Sequence, residues 1–160
     1  MKLLPLAAAI ALASAAPAFA QVMTPAEYVM AAGASDLYEQ QSSQLVLTST
    51  TDPRVKAFAT MMVDNHGKST AEVKAAVAKS GVPAMPPKLT PTQSELIAEL
   101  QALKGPERDA RYIAEQKAAH GQALSVQKAY AMEGTAPALK TAAADIVPVV
   151  EHHIMMLMAM

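Results

Sequence analysis

The sequence predicts an all-α protein, a four-helix bundle with a short extra helix in the connection between the second and third bundle helices. Apolar residues recur at the helical period along most of the chain, and abundant alanine suits close packing between helices. Proline and glycine gather at a few points that divide the chain into helical segments. No segment alternates apolar and polar residues as a half-buried strand would.

Residues 1–20 have the pattern of a secretory signal peptide. Lys2 is followed by an almost wholly apolar run over residues 3–16, and residues 18–20 form a small-x-small cleavage site. We expect cleavage after Ala20, leaving one domain of residues 21–160 in the periplasm or outside the cell. The alternative is an uncleaved anchor, but the run is short for a span of about 20 residues. The rest of the sequence has no second apolar run of that length.

Composition excludes several classes of protein. There is no cysteine, which excludes a lipid-anchored lipoprotein, disulfides and thiol chemistry. Thirteen basic and 14 acidic residues give a net charge of −1, and there is no Trp. The chain therefore has neither the positive charge nor the stacking platforms of a nucleic-acid-binding protein. A second copy of the chain or an envelope protein is left open as a partner.

Capping residues and helix breakers set the limits of the elements. Thr24 and Glu27 form a capping box, Gly81 ends the second helix, and three prolines within residues 82–87 make a linker. Gly105 separates the short third helix from the fourth. The predicted helices cover residues 25–47, 53–80, 91–104, 106–133 and 137–160.

Three histidines fall on the apolar stripes of three different helices. His66 shares a face of the second helix with Val55, Phe58, Ala59, Met62, Val63, Val73 and Val77. His120 shares a face of the fourth with Ile113, Leu124 and Ala131. His153 shares a face of the last with Leu139, Ala142, Ala143, Ile146, Val150 and Leu157. Ionisable side chains on the apolar stripes of three helices indicate that the three histidines belong to one site.

Glu39 lies at the edge of the apolar arc of the first helix, whose polar face is predicted to hold Asp36, Gln40 and Gln44. Glu39 and the histidines lie roughly 14–24 Å from their connecting turns at 1.5 Å per residue. That height is near the middle of a bundle about 40 Å long. The first helix can therefore offer Glu39 to the same central layer as the histidines.

Segments along nearly the whole mature chain carry a family resemblance: residues 35–39, 42–45, 52–66, 109–120, 134–139 and 148–153. With them the chain resembles the bacterial domain-of-unknown-function family 4142, exported proteins of the ferritin-like superfamily. The resemblance implies export and a ferritin-like four-helix bundle, and it implies no established activity. Similar proteins usually have Phe where this chain has Arg108, which leaves the packing at the start of the fourth helix open.

The central layer predicts a metal site. Glu39, His66, His120 and His153 are enough ligands for one transition-metal ion such as Cu, Fe or Zn. A di-iron centre is disfavoured, because it needs Glu-x-x-His on two helices, and Glu115 is five residues from His120. Three further candidates for soft Cu(I) ligation are Met62, His152 and Met156, although methionine more commonly fills core gaps.

Other interpretations of the same layer stay open. The side chains can satisfy one another as a structural polar network, with His66 bonded to Glu39, or can charge near pH 6 and loosen the bundle. No catalytic signature is present, since Ser42 and Ser43 lack a visible base. The leading function is a non-enzymatic exported protein with a metal ion or a pH-sensitive layer. The alternatives are a copper- or iron-dependent redox enzyme and an envelope stress or interaction module.

Overall fold

The computed structural model describes residues 22–160; the predicted signal peptide and its cleavage site lie outside the described residues. Five helices and no strand occur within this range, so the all-α prediction is confirmed. None of the helices between residues 22 and 160 is long and apolar enough to cross a membrane. The helices are α1 (Pro25–Leu47), α2 (Pro53–Ser80), α3 (Pro91–Ala102), α4 (Gly105–Glu133) and α5 (Pro137–Met158).

Local hydrogen bonds explain where the helices begin and end. The side chain of Thr24 accepts a bond from the Glu27 backbone N–H while the Glu27 carboxylate accepts one from the Thr24 N–H, which confirms the predicted capping box. Gly81 ends α2 with φ of 65°, a left-handed conformation that glycine adopts without steric cost. The short helix α3 ends at Ala102, slightly earlier than predicted, because Leu103 is extended.

The bundle is a ring in the order α1, α2, α5, α4, and each helix runs antiparallel to its two neighbours. α3 lies outside this ring against α1 and α4. Because α2 and α4 run parallel, the chain must return along the full length of the bundle between them. The linker after Gly81 and the helix α3 make that return, which is the long crossover found in ferritin-like bundles.

Two apolar clusters fill the two ends of the bundle. The Tyr28 cluster joins the start of α1 to the end of α2, and its buried members are Tyr28, Val29, Ala32, Val73, Ala76, Val77, Tyr130, Ala136, Leu139, Ala142, Ala143, Ile146 and Val150. The Phe58 cluster fills the other end, and its buried members are Val46, Val55, Phe58, Ala59, Met62, Leu100, Tyr112 and Leu157. The buried polar residues of mid-helix, His66 and His120 among them, lie between the two clusters.

Arg108 fixes the start of α4 against two other helices. It is 5% exposed, and its Nε donates to the carbonyl oxygens of Leu100 and Leu103 at the end of α3, both at 2.8 Å. Its Nη1 donates to the Leu45 carbonyl and the Thr48 hydroxyl at the end of α1, and also to Ser49 Oγ. The guanidinium therefore satisfies the terminal carbonyls of two helices at once, where an aromatic side chain in the same position would leave them without this donor.

Candidate metal centre

The three predicted histidines meet in the interior. His66, His120 and His153 are 6%, 1% and 1% exposed. Their ring centroids are 5.8, 5.6 and 5.2 Å apart, and each ring offers one nitrogen within 4.8 Å of the other two. Three helices thus bring three imidazoles to one point in the layer between the apolar clusters.

The apolar stripes predicted around His66 and His153 match the buried faces of their helices, whereas the stripe predicted around His120 matches less well. The buried residues of α2 and α5 are largely the predicted stripes around His66 and His153. In α4, Ile113 and Leu124 are only partly buried. The buried stripe around His120 consists instead of Arg108, Asp109, Tyr112, Glu115, Gln116, Gln127 and Tyr130. This stripe is polar and aromatic. Apolar periodicity therefore identified the partly buried residues beside it and not the buried residues themselves.

Hydrogen bonds fix the orientation of two rings. His66 Nδ1 lies 2.8 Å from Asp36 Oδ1, and His120 Nδ1 lies 3.0 Å from the Gln116 carbonyl oxygen. A carboxylate and a carbonyl can only accept, so both Nδ1 atoms carry a hydrogen, and in the neutral imidazoles both Nε2 atoms keep a lone pair. That of His120 faces His153 Nδ1. His66 Nε2 is buried and bonds to no described residue.

The third ring, His153, lies between His120 and Asn65. His153 Nδ1 lies 3.2 Å from His120 Nε2, and His153 Nε2 lies 2.9 Å from the side-chain amide of Asn65. Asn65 was not among the predicted site residues, although it directly precedes His66 in the sequence. Its amide can donate or accept after rotation, so it can stabilise either tautomer of His153.

Asp36 corrects the predicted polar face of α1. It is 5% exposed rather than solvated, and it takes the role expected of Glu39 as the hydrogen-bond partner of His66. Thr70 Oγ1 donates to its second oxygen at 3.0 Å. Asp36 precedes Glu39 by one helical turn, so a stripe drawn through Glu39 would have included it.

Glu39 is also buried, at 1% exposure, but it lies on the other side of His120. Its Oε1 is 3.7 Å from His120 Nδ1, the nitrogen that is bonded to the Gln116 carbonyl. Neither carboxylate oxygen has a hydrogen-bond partner among the described residues. Burial raises the pKa of Glu39 to about 7, against the lowering effect of His66.

Burial acts on the histidines in the opposite direction. Burial and the nearby His66 lower the pKa of His120 to about 4, and burial and the nearby His120 and His66 lower that of His153 to about 3. Burial would lower the pKa of His66 as well, but the bond to Asp36 and the charges of Asp36 and Glu39 outweigh it, so this pKa is raised. His120 and His153 are therefore neutral near pH 7, the state in which imidazole binds metal.

The additional candidates differ in their burial. Met62 is buried in the Phe58 cluster, Met156 is partly buried against the same cluster, and His152 is exposed with its ring centroid 6.5 Å from that of His153. Glu115 accepts bonds from Tyr38 and Arg111.

Two solved structures have the same fold. A DUF305 protein from Streptomyces coelicolor, described as a candidate secreted protein, aligns with a TM-score of 0.65 and 17% identity over 86% of this chain and 90% of its own. A DUF305 fragment from Deinococcus radiodurans aligns with a TM-score of 0.72 and 13% identity over 84% of this chain and 93% of its own. At these identities the likeness concerns the fold alone.

No curated protein matches the sequence. A family model described as a domain of unknown function, DUF4142, matches residues 9–160. That range includes α1 to α5 and the three histidines of the cluster. The chain therefore belongs to the DUF4142 family.

Proposed function

We propose that this protein binds one divalent transition-metal ion through His66, His120 and His153, and that it does so as an exported protein. The observation that carries the proposal is the buried cluster of three imidazole nitrogens within 4.8 Å of one another. His120 Nε2 and His153 Nδ1 are 3.2 Å apart. Two ligands about 2.1 Å from one ion have nearly this separation when the coordination is tetrahedral.

The charge of the surroundings supports a doubly charged ion. Asp36 and Glu39 place two carboxyl groups around three imidazoles in the interior. An ion of charge +2 balances both carboxylates, whereas without it Glu39 tends to hold its proton. The nitrogen donors favour copper, iron or zinc over calcium and magnesium, which prefer oxygen.

The partners of the rings support metal binding as well. Metal-bound histidines usually donate their second N–H to a carboxylate or a backbone carbonyl, as His66 does to Asp36 and His120 to Gln116. His153 can ligate through Nδ1 once its hydrogen is on Nε2. Rotation of the Asn65 amide then places an oxygen where that N–H can donate.

Export is supported by the basic start, apolar run and small-x-small site of residues 1–20. The description of the Streptomyces coelicolor neighbour as a candidate secreted protein points in the same direction. An exported protein meets its metal outside the cytoplasm and, having no cysteine, must hold it without thiolate ligands.

Elemental analysis of the untagged protein purified from the periplasm tests both parts of the proposal. We expect about one equivalent of metal in the wild type and none in the His66→Ala, His120→Ala double variant, because removal of two of three ligands abolishes the site. The intact mass should correspond to residues 21–160.

His152→Ala is the matched control, since it removes the exposed histidine next to the cluster and should retain the metal. Circular dichroism checks that the double variant is still helical. Absence of metal from the wild type after loading with Zn²⁺, Cu²⁺ and Fe²⁺ would contradict the proposal, and so would equal metal content in the double variant. A mass that includes residues 1–20 would contradict cleavage.

Asp36→Asn tests the partner of His66. Loss of the carboxylate weakens the orientation and basicity of the ring, and we expect the affinity for Zn²⁺ to fall about 10- to 100-fold, as for other residues that support metal ligands. Competition with a chromophoric chelator measures the change. Asp64→Asn is the control, because Asp64 is an exposed residue of α2 that pairs with Lys68. Equal affinities in both variants would show that Asp36 does not support the ligand.

A further inference from the structure

A small cavity leads to one face of the histidine cluster. It lies between α2 and α5 and has a volume of about 90 Å³. His66 and His153 form part of its wall, and the polar side chains that line it as well are those of Asn65, Lys68, Ser69 and Glu72. His120 does not line it. The cavity therefore reaches the cluster from the side of α2 and α5.

Another side of the cluster is covered by an apolar ring. The Phe58 ring centroid is 6.4 Å from those of both His120 and His153. Phe58 is fully buried and has no atom able to bind a metal. Phe58 therefore closes that side of the cluster, whereas the cavity reaches His66 and His153.

The number of protein ligands leaves a position for such a molecule. Structural sites for zinc and similar ions close with four protein ligands, whereas sites with three keep a position for water or another small ligand. Among the described His, Asp and Glu side chains, the group whose ligating atoms lie within 4.8 Å of one another consists of three histidines. Glu39 faces His120 Nδ1, the nitrogen turned away from His153.

We propose that the metal ion in this site takes one small exogenous ligand, a water molecule or a small anion such as azide, that enters through the cavity between α2 and α5. The inference rests on the proposed metal binding. The volume admits a few atoms and no larger substrate. The amide of Asn65 and the hydroxyl of Ser69 line the path and can donate hydrogen bonds to an anion.

The experiment uses the mature protein loaded with Co²⁺, whose visible absorption changes with its coordination. Stopped-flow mixing with sodium azide then measures ligand binding directly. We expect a saturable spectral change in the wild type. Val149→Trp places an indole at the cavity wall. In this variant we expect the association rate constant of azide to fall by about tenfold, a change within the range that variants of one binding site show.

Met155→Trp is the matched control. Met155 lies on the same helix and is 62% exposed, and it does not line the cavity, so its azide kinetics should equal those of the wild type. Both variants should bind one equivalent of Co²⁺. Val149 is 39% exposed, so a larger side chain is accommodated without disturbing the core.

The outcomes separate the two proposals. Stoichiometric Co²⁺ with a spectrum that azide does not change would overturn the open position and leave metal binding intact. Unchanged azide kinetics in Val149→Trp would overturn the route through the cavity. Failure of the wild type to bind Co²⁺ or any other metal would instead overturn the proposed function on which the inference rests.

Discussion

The metal-free protein is expected to lose stability below pH 6.5, and most steeply between pH 4.5 and about 4, because protonation of His120 and His153 in the folded state is costly. Their folded pKa values are about 4 and about 3, against 6.5 for a solvated histidine. Between these values the unfolded chain binds protons that the folded protein does not, so stability falls as the pH falls. At about 1.4 kcal/mol per pKa unit, the two groups together account for several kcal/mol.

Two neighbouring groups act in the opposite direction. Glu39, with a folded pKa of about 7 against 4.5, contributes stability that is complete below pH 4.5 and lost as the pH rises through 7. His66, whose pKa is raised, likewise stabilises the protein at lower pH and stops doing so above its folded pKa. Between pH 4.5 and 6.5 Glu39 offsets about one of the two histidines. Between pH 4.5 and about 4 neither histidine is offset by it, and the slope is greatest there. Below pH 4 His120 is protonated in the folded protein as well, so the slope decreases again.

Thermal unfolding followed by circular dichroism, in the presence of a chelator and at pH values from 4 to 8, measures this dependence. His120→Asn should flatten the curve between pH 4.5 and 6.5, since it removes one histidine and retains a side-chain donor for the Gln116 carbonyl. His152→Ala should keep the wild-type curve, because His152 is exposed. A wild-type melting temperature that does not change between pH 6.5 and 4 would refute the assignment of the cluster as an acid-sensitive layer.

The same prediction distinguishes the interpretations of the histidine layer. A bound divalent ion keeps the imidazoles deprotonated, so a metal-loaded protein should retain its stability to a lower pH than the metal-free protein. A purely structural network would respond to acid in the same way with or without metal. Loss of stability in acid is therefore expected from the histidine cluster with or without a metal function. Only a metal-dependent shift of the pH at which stability is lost is evidence that the histidines bind metal.

The histidine cluster could be predicted from the sequence because His66 and His153 stand within clear apolar stripes at similar heights. Asp36 could not be recognised from composition alone, since an acidic residue on a helix usually faces solvent and its burial depends on a partner in another helix. Asn65 was missed for a similar reason. Its role depends on the distance to His153 across the bundle, which periodicity within one helix does not contain.

The direction of the connection between α2 and α4 could not be predicted from the sequence either. Breakers at Gly81 and Gly105 mark where the helices stop and start, but they do not say in which direction the chain runs between them. The direction follows from long-range packing, in which Leu100 near the end of α3 lies in the Phe58 cluster with Tyr112 of α4. Arg108 adds hydrogen bonds to the ends of α1 and α3. The observation that similar proteins usually have Phe at this position did not predict these bonds.

Replacement of Arg108 by alanine is expected to destabilise the bundle by about 2–3 kcal/mol, the upper part of the range for losing hydrogen bonds made by a charged group. The guanidinium donates to three backbone carbonyls and to the hydroxyls of Thr48 and Ser49. Hydrogen bonds to a charged group contribute about 1.5–3 kcal/mol. Their contributions do not simply add here, because the Leu45 and Leu100 carbonyls still accept from the backbone N–H groups of Thr48 and Leu103. The expected loss is a large part of the about 5–15 kcal/mol that stabilises a typical domain.

Urea unfolding followed by circular dichroism measures the change as a shift in midpoint at constant slope. Arg54→Ala is the control, because Arg54 is 70% exposed in its side chain and its pair with Asp52 should contribute at most about 1 kcal/mol. Arg108→Lys should fall between the two, since lysine retains the charge but lacks the planar fork that reaches the ends of α1 and α3 together. A loss in Arg108→Ala no greater than in Arg54→Ala would show that these helix ends are held by apolar packing around Leu100 and not by the arginine.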